Sequence, residues 1–193
     1  MKSILKKGFV ALGLLGLVAV QAESLGNFPQ VETETFDEED FVFPDDMQAG
    51  KLNIVFLSMS NTREAGERQG EMLKQWHAEL EPLGLFSDQV VGYYFTVIKA
   101  PFFVKGVIRR AMRDDYEGNI PLDQSGILFV KDMAKFADAA GLTIDDWPTI
   151  VLVAPDGQLL HALKGAPTEA AVDELMDATT PYTNLQTDTA SAN

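Results

Sequence analysis

Asp145-Asp146-Trp147-Pro148-Thr149-Ile150-Val151-Leu152-Val153-Ala154 runs into Pro155-Asp156-Gly157 and returns as Gln158-Leu159-Leu160-His161-Ala162-Leu163. The order is a proline, an unbroken apolar run, a turn signal and a second apolar run. Asp-Gly between two such runs is a strong short-range hairpin signal, because glycine takes the positive φ that a tight turn demands. The apolar run after Thr149 reads as a strand, one of a sheet. Pro148 suits the strand's entrance, where its missing N–H leaves no gap in the ladder.

The upstream chain supplies its neighbours. Leu52 to Met59 is a second continuous apolar run of buried-strand type. Ser60-Asn61-Thr62 follows with helix-start chemistry: Ser60 or Asn61 is expected as the cap, with Glu64 completing a capping box from Asn61. The helix should reach about Leu80, carrying Ala65, Met72, Leu73, Trp76 and Leu80 near one face, and stop at Pro82 and Gly84. Val90 to Ile98, rich in aromatic and β-branched residues, reads as a strand. Pro101 then opens a helix, with Val104, Val107, Ile108, Ala111 and Met112 at helical spacing to about Asp115. Ile127 to Val130 is a short strand, Met133 to Ala140 a short helix closed by Gly141, and Thr168 caps a last helix to about Ala178. Tyr93-Tyr94-Phe95 and Phe102-Phe103 are both expected in the core.

The flanks read differently. Lys2, Lys6 and Lys7 precede an apolar run from Gly8 to Val20 and the small-residue step Val20-Gln21-Ala22, the pattern of a secretory signal over residues 1–22. The run is about 13 residues, short of the roughly 20 that span a bilayer. Residues 23–39 are expected to be an acidic linker, and the alternating segment Asp40 to Asp45 a short edge strand with Pro44 permitted at its end. The domain proper is placed at 40–178, and 179–193 is expected to be a disordered tail. An exported chain would be periplasmic or secreted, with no stable membrane span once its leader is removed.

Charge and cysteine content narrow the function. The 193 residues include 29 acidic against 15 basic, a formal charge of −14. Loss of the three leader lysines takes it to about −17. A nucleic-acid partner wants a basic footprint, so none is expected; net negative charge also weakens contact with anionic membranes. Adaptation to high salt would give the same balance. There is no cysteine, which excludes thiol–disulfide exchange and cysteine-based peroxide reduction, since both need a thiolate.

The order strand, helix, strand, helix, strand, short helix, proline, hairpin, helix resembles a thioredoxin-like domain: an α/β fold whose mixed sheet is flanked by helices. In layout the chain is similar to the cysteine-less exported proteins of the YtfJ type. The shared points are the Val151-Leu152 strand, the Asp156-Gly157 turn, Lys164-Gly165-Ala166 and the Thr168-Glu169 helix start. The resemblance implies that Pro148 is cis, and that Ser60-Asn61-Thr62-Arg63 occupies the place of the redox motif. A cis Pro148 would turn the backbone of Trp147 outward, beside Ser60 to Arg63, as an edge that an extended peptide could join by strand addition; alternatively Trp147 covers the vacated redox site.

Two candidate surfaces follow. Ser60, Asn61, Thr62, Arg63, Trp147 and Pro148 form a candidate binding surface. Lys105, Arg109 and Arg113, at i, i+4 and i+8, share a helix face that is read as a solvated face, as a dock for an acidic partner, or as a latch on the chain's own acidic segment at 37–46. No catalytic residue is assigned, because Ser60 lacks an adjacent base and the two histidines, His77 and His161, lie elsewhere. No cofactor or metal is expected, since Asp145-Asp146 and Asp37 to Asp40 lack the spacing of a calcium loop. The expected function is a non-redox binding or assembly module of the cell envelope, with an envelope protein or extended peptide as partner. The alternatives are an enzyme using the same surface without thiols and an inactive scaffold for a thiol oxidoreductase.

Overall fold

The strands alternate their side chains between two cores. On β3 (Leu52–Met59), Ile54 and Phe56 enter one core, and Val55, Leu57 and Met59 the other; all are buried. That alternation follows from the two-residue period of a strand, and it requires cover on both faces. The protein's structure is a computed structural model in which residues 25–184 are described; the expected leader and the last residues of the expected tail lie outside them.

Five strands form the main sheet in the order β5-β4-β3-β6-β7, where β4 is Val90–Ile98, β5 Ser125–Phe129, β6 Thr149–Val153 and β7 Leu159–Lys164. β3 pairs parallel with β4, and β4 with β5, whereas β6 runs antiparallel to both β3 and β7. The sheet is therefore mixed. One face packs on α1 (Arg63–Leu80) and α4 (Glu169–Asn184) through Leu73, Trp76, Val172 and Leu175, joined by Tyr116 of α2 (Lys105–Tyr116). The other face is covered by α3 (Met133–Ala140), whose Phe136 lies in the same core as Phe28, Phe41 and Phe43 of the N-terminal segment. Among the described residues no helix is long and apolar enough to cross a membrane.

The quoted hairpin forms as read. Gly157, at φ +89°, takes the turn conformation, and its N–H donates to the Ala154 carbonyl at 2.9 Å. Four expectations need correction. Within residues 23–39, expected to be a linker, β1 (Val31–Glu34) pairs antiparallel with β2 (Asp40–Phe43). Thr35 bridges Gly126 on β5, and Phe36 is buried against Tyr116. Glu32, Asp37, Glu38, Glu39 and Asp40 are exposed, whereas Glu34 turns to Arg109 of α2, and the hairpin covers the β5 edge, which spares that edge from exposure. α4 continues through 179–184, with Thr179 buried, so that part of the expected tail is helical. Thr62, rather than Ser60 or Asn61, caps α1: its Oγ1 accepts the Ala65 N–H at 3.2 Å.

The fourth correction concerns proline. Among the described residues the cis peptide bond is Phe43–Pro44, and Trp147–Pro148 is trans, the isomer that X–Pro bonds favour by default.

Candidate functional site

Strand register brings four loops to one end of the sheet. Met59 is opposite Val97, Ile98 opposite Phe129, and Leu57 opposite Thr149. The carboxyl ends of β3, β4 and β5 and the entrance to β6 therefore lie together. This is the end of an open α/β sheet at which ligands ordinarily bind. Ser60 to Thr62, Lys99 to Val104, Val130 to Asp132 and Asp145 to Pro148 crown it.

The first loop is closed on itself. Ser60 Oγ donates to the Thr62 carbonyl at 2.8 Å and accepts the Thr62 N–H at 3.1 Å, so its hydroxyl serves the turn. Both histidines are engaged elsewhere: His77 Nδ1 lies 2.8 Å from the Tyr94 hydroxyl, and His161 Nε2 lies 3.1 Å from Glu174 Oε1. Asn61, Thr62 and Arg63 are exposed, and Arg63 pairs with Glu67 at 2.7 Å.

The loop bearing Trp147 is fastened from three sides. Trp147 N–H donates to Asp145 Oδ1 at 2.9 Å, and the other carboxylate oxygen of Asp145 is bonded by the Lys164 ammonium. Lys164 also donates to the Thr143 carbonyl at 2.9 Å. Partial burial pushes the Asp145 carboxyl up, but the Lys164 contact and the Trp147 N–H outweigh it and hold the group below the usual carboxylate range. From beneath, Gln69 of α1, with no exposed surface, donates to the Asp145 carbonyl at 2.8 Å and to the Met59 carbonyl at 3.1 Å. Its Oε1 accepts the Met59 N–H at 2.7 Å and the Ser58 hydroxyl at 3.1 Å.

These contacts remove one reading. Pro148 is buried, and its carbonyl accepts the Gly165 N–H at 3.1 Å. With the Trp147 N–H also taken and no N–H on Pro148, the edge expected to receive an extended peptide has too few free groups for strand addition. Trp147 is 50% exposed, so it does not simply seal the place of the missing thiols.

The basic stripe is drawn inward. Lys105, Arg109 and Arg113 do share a face, but Arg109 pairs with Glu34, Arg113 Nε donates to the Phe36 carbonyl at 2.9 Å, and the Lys105 ammonium lies 4.8 Å from the centre of the Phe129 ring. The stripe holds the N-terminal hairpin just upstream of the 37–46 segment, and as an outward dock it is displaced by these contacts. Turning it inward leaves another face of α2 outside: Phe102 and Phe103, expected in the core, are 89% and 82% exposed. Sequence reading passed over that outcome although a signal was present. Val104, Ile108 and Met112 form one apolar ladder and Phe103, Val107 and Ala111 another, about 100° apart on the helix, and they need not both meet the sheet.

No family model matches the chain, and no curated protein sequence matches it. Solved structures do. Copper-bound yeast Sco1 is 16% identical with a TM-score of 0.58, covering 83% of this chain and 97% of that one. BsSco, a member of the Sco family of cytochrome c oxidase assembly proteins, is 12% identical with a TM-score of 0.53, covering 83% and 95%. A thiol:disulfide interchange protein from Bacteroides sp. is 10% identical with a TM-score of 0.50, covering 84% and 92%. The fold is thioredoxin-like. At such identities the likeness is one of architecture. Among the described residues no group of three His, Asp or Glu side chains is disposed to hold a metal ion.

Proposed function

We propose that this chain is an exported, non-redox thioredoxin-like module of the cell envelope, which binds or helps assemble a partner protein through the loop end of its sheet. Trp147 is the anchor, and Asn61, Thr62 and Arg63 form a polar rim beside it. The observation that carries this reading is the combination of a half-exposed tryptophan with a backbone pinned by Asp145, Pro148 and Gln69. Aromatic side chains dominate interface hot spots, and one held rigid before binding loses less freedom on association. The lack of cysteine leaves the surface with no thiol chemistry to perform.

The test is capture from a native envelope fraction by the immobilised wild-type chain and by Trp147→Ala in parallel. A protein retained by the wild type and lost by the variant supports the proposal. An identical retained set for both chains overturns it.

A further inference from the structure

The outward face of α2 begins at a tip. Pro101 precedes a short 3-10 turn, Phe102–Val104, which leads straight into the helix. Phe102, Phe103 and Val107 are 89%, 82% and 72% exposed, the most exposed large apolar side chains among the described residues. Beyond Val107 the helix surface is a shallow hollow, also lined by Gly106, Arg110 and Asp114.

The charges around the tip are unusual for this chain. Six cations, Arg63, Arg68, Lys74, Arg109, Lys135 and Lys164, have a carboxylate within 4.0 Å. Among the described residues the other six, Lys51, Lys99, Lys105, Arg110, Arg113 and Lys131, have none, although acids outnumber bases 29 to 15 in the sequence. Lys105 and Arg113 turn inward to Phe129 and Phe36, and Lys51 precedes β3 at the other end of the sheet, which leaves Lys99, Arg110 and Lys131. All three belong to this neighbourhood. Lys99 leads into the tip, Arg110 lies one turn beyond Val107, and Lys131 follows the Val130 N–H that bonds the Ile98 carbonyl at 3.0 Å. Of the nearby acids, Asp132 caps α3 and faces Lys135 at 3.9 Å, and Asp114, four residues after Arg110, lines the same hollow.

We propose that the Phe102-Phe103 tip docks this protein on an anionic phospholipid surface. The two rings enter the boundary between headgroups and acyl chains, and Lys99, Arg110 and Lys131 meet the lipid phosphates. Three apolar side chains fall short of the roughly 800 Å² per partner that a stable protein interface buries, whether the partner is a second copy or another protein. A lipid surface needs neither area nor shape to match; it takes apolar side chains to a shallow depth and rewards flanking cations. The net negative charge does not forbid this, because at physiological salt charges are screened over about 8 Å. The local cations therefore outweigh distant acids. This proposal is independent of the one made for Trp147.

The absence of native cysteine makes the tip easy to report on. The full chain, with either Phe102→Cys or Gln158→Cys as its single thiol, is labelled with an environment-sensitive fluorophore. It is then mixed with vesicles of phosphatidylcholine alone or of equal parts phosphatidylcholine and phosphatidylglycerol. The label at 102 should brighten and shift to the blue with the anionic vesicles only, and the label at 158, on the hairpin turn at the other end of the sheet, should not. In flotation with unlabelled chains, Phe102→Ser with Phe103→Ser, and separately Lys99→Glu with Lys131→Glu, should each lower partition to the anionic vesicles about tenfold or more. Residues 1–24 are common to every variant, so binding through them does not mimic a loss at the tip. An unresponsive label at 102, or partition unchanged by both double substitutions, overturns the proposal and leaves the patch to a protein partner.

Discussion

Arg113 reaches from α2 to donate its Nε–H to the carbonyl of Phe36, 2.9 Å away, and so ties the basic helix to the N-terminal hairpin. The Phe36 N–H is bonded in turn to the Ser125 carbonyl at 2.8 Å, and its ring meets Tyr116 edge-on. Removing the guanidinium strips a charged donor from a buried segment. Arg113→Ala should cost about 1–3 kcal/mol in urea unfolding, with amide exchange quickening first at Thr35 and Phe36. The Arg109–Glu34 pair is partly exposed, so Arg109→Ala should cost less, about 1 kcal/mol at most.

The same docking depends on the absence of a side chain at Gly126. A Cβ placed there would sit 3.0 Å from the Glu34 carbonyl oxygen and 3.3 Å from the Phe95 ring. Backbone does not yield as a flexible side chain does, so Gly126→Ala should push the hairpin off the β5 edge. A loss of about 1–3 kcal/mol is expected by the cost of overpacking. Combined with Arg113→Ala it should be less than additive, because both act on one contact; full additivity in a double-mutant cycle would count against a shared origin.

Gln69 joins three pieces of chain: α1, the end of β3 and the loop carrying Trp147. Gln69→Leu keeps much of its volume while leaving the Met59 N–H and the Asp145 carbonyl without their partner, which should cost about 2–4 kcal/mol. Trp147 fluorescence should report the loop loosening as stronger quenching by iodide, against Trp76 buried in the same chain. Unchanged quenching would mean that Asp145 and Pro148 hold the loop unaided.

What the sequence discloses follows from how local each determinant is. Leu52–Met59, Val90–Ile98 and the hairpin from Thr149 to Lys164 announce themselves by continuous apolar runs and a turn glycine, and the order of elements brings the fold with them. The N-terminal strand is harder to read, because Val31-Glu32-Thr33-Glu34 looks like acidic linker until β2 pairs with it and Ile127, Gly126 and Tyr116, far away in sequence, take Thr33, Thr35 and Phe36. The rotation of α2 is likewise not local. Two apolar ladders compete for the sheet, and the contacts of Arg109 and Arg113 with the hairpin accompany the choice. For the candidate site, the loop sequences gave its place; the burial of Pro148 and the exposure of Phe102 and Phe103 rest on tertiary contacts.

Stability should depend on pH in two separate windows. His77 lies under Phe86 and against the Tyr94 hydroxyl. Burial lowers its pKa, and the Glu81 carboxylate, 3.9 Å from Nε2, offsets only part of that effect. The unfolded chain then binds a proton near the ordinary histidine value while the native chain does not, so stability rises with pH across that range. It should be fully present above about pH 6.5 and decline as the pH falls below it. Asp145, also held below its ordinary value, acts in the same direction but lower: its contribution is present above about pH 4 and is lost as the pH falls through the native value. The measurement is the urea midpoint between pH 7.5 and 5.5 for the wild type and His77→Gln. The wild-type midpoint should fall across this range and the variant's should stay nearly level. Parallel declines in the two chains would assign the titration to another group.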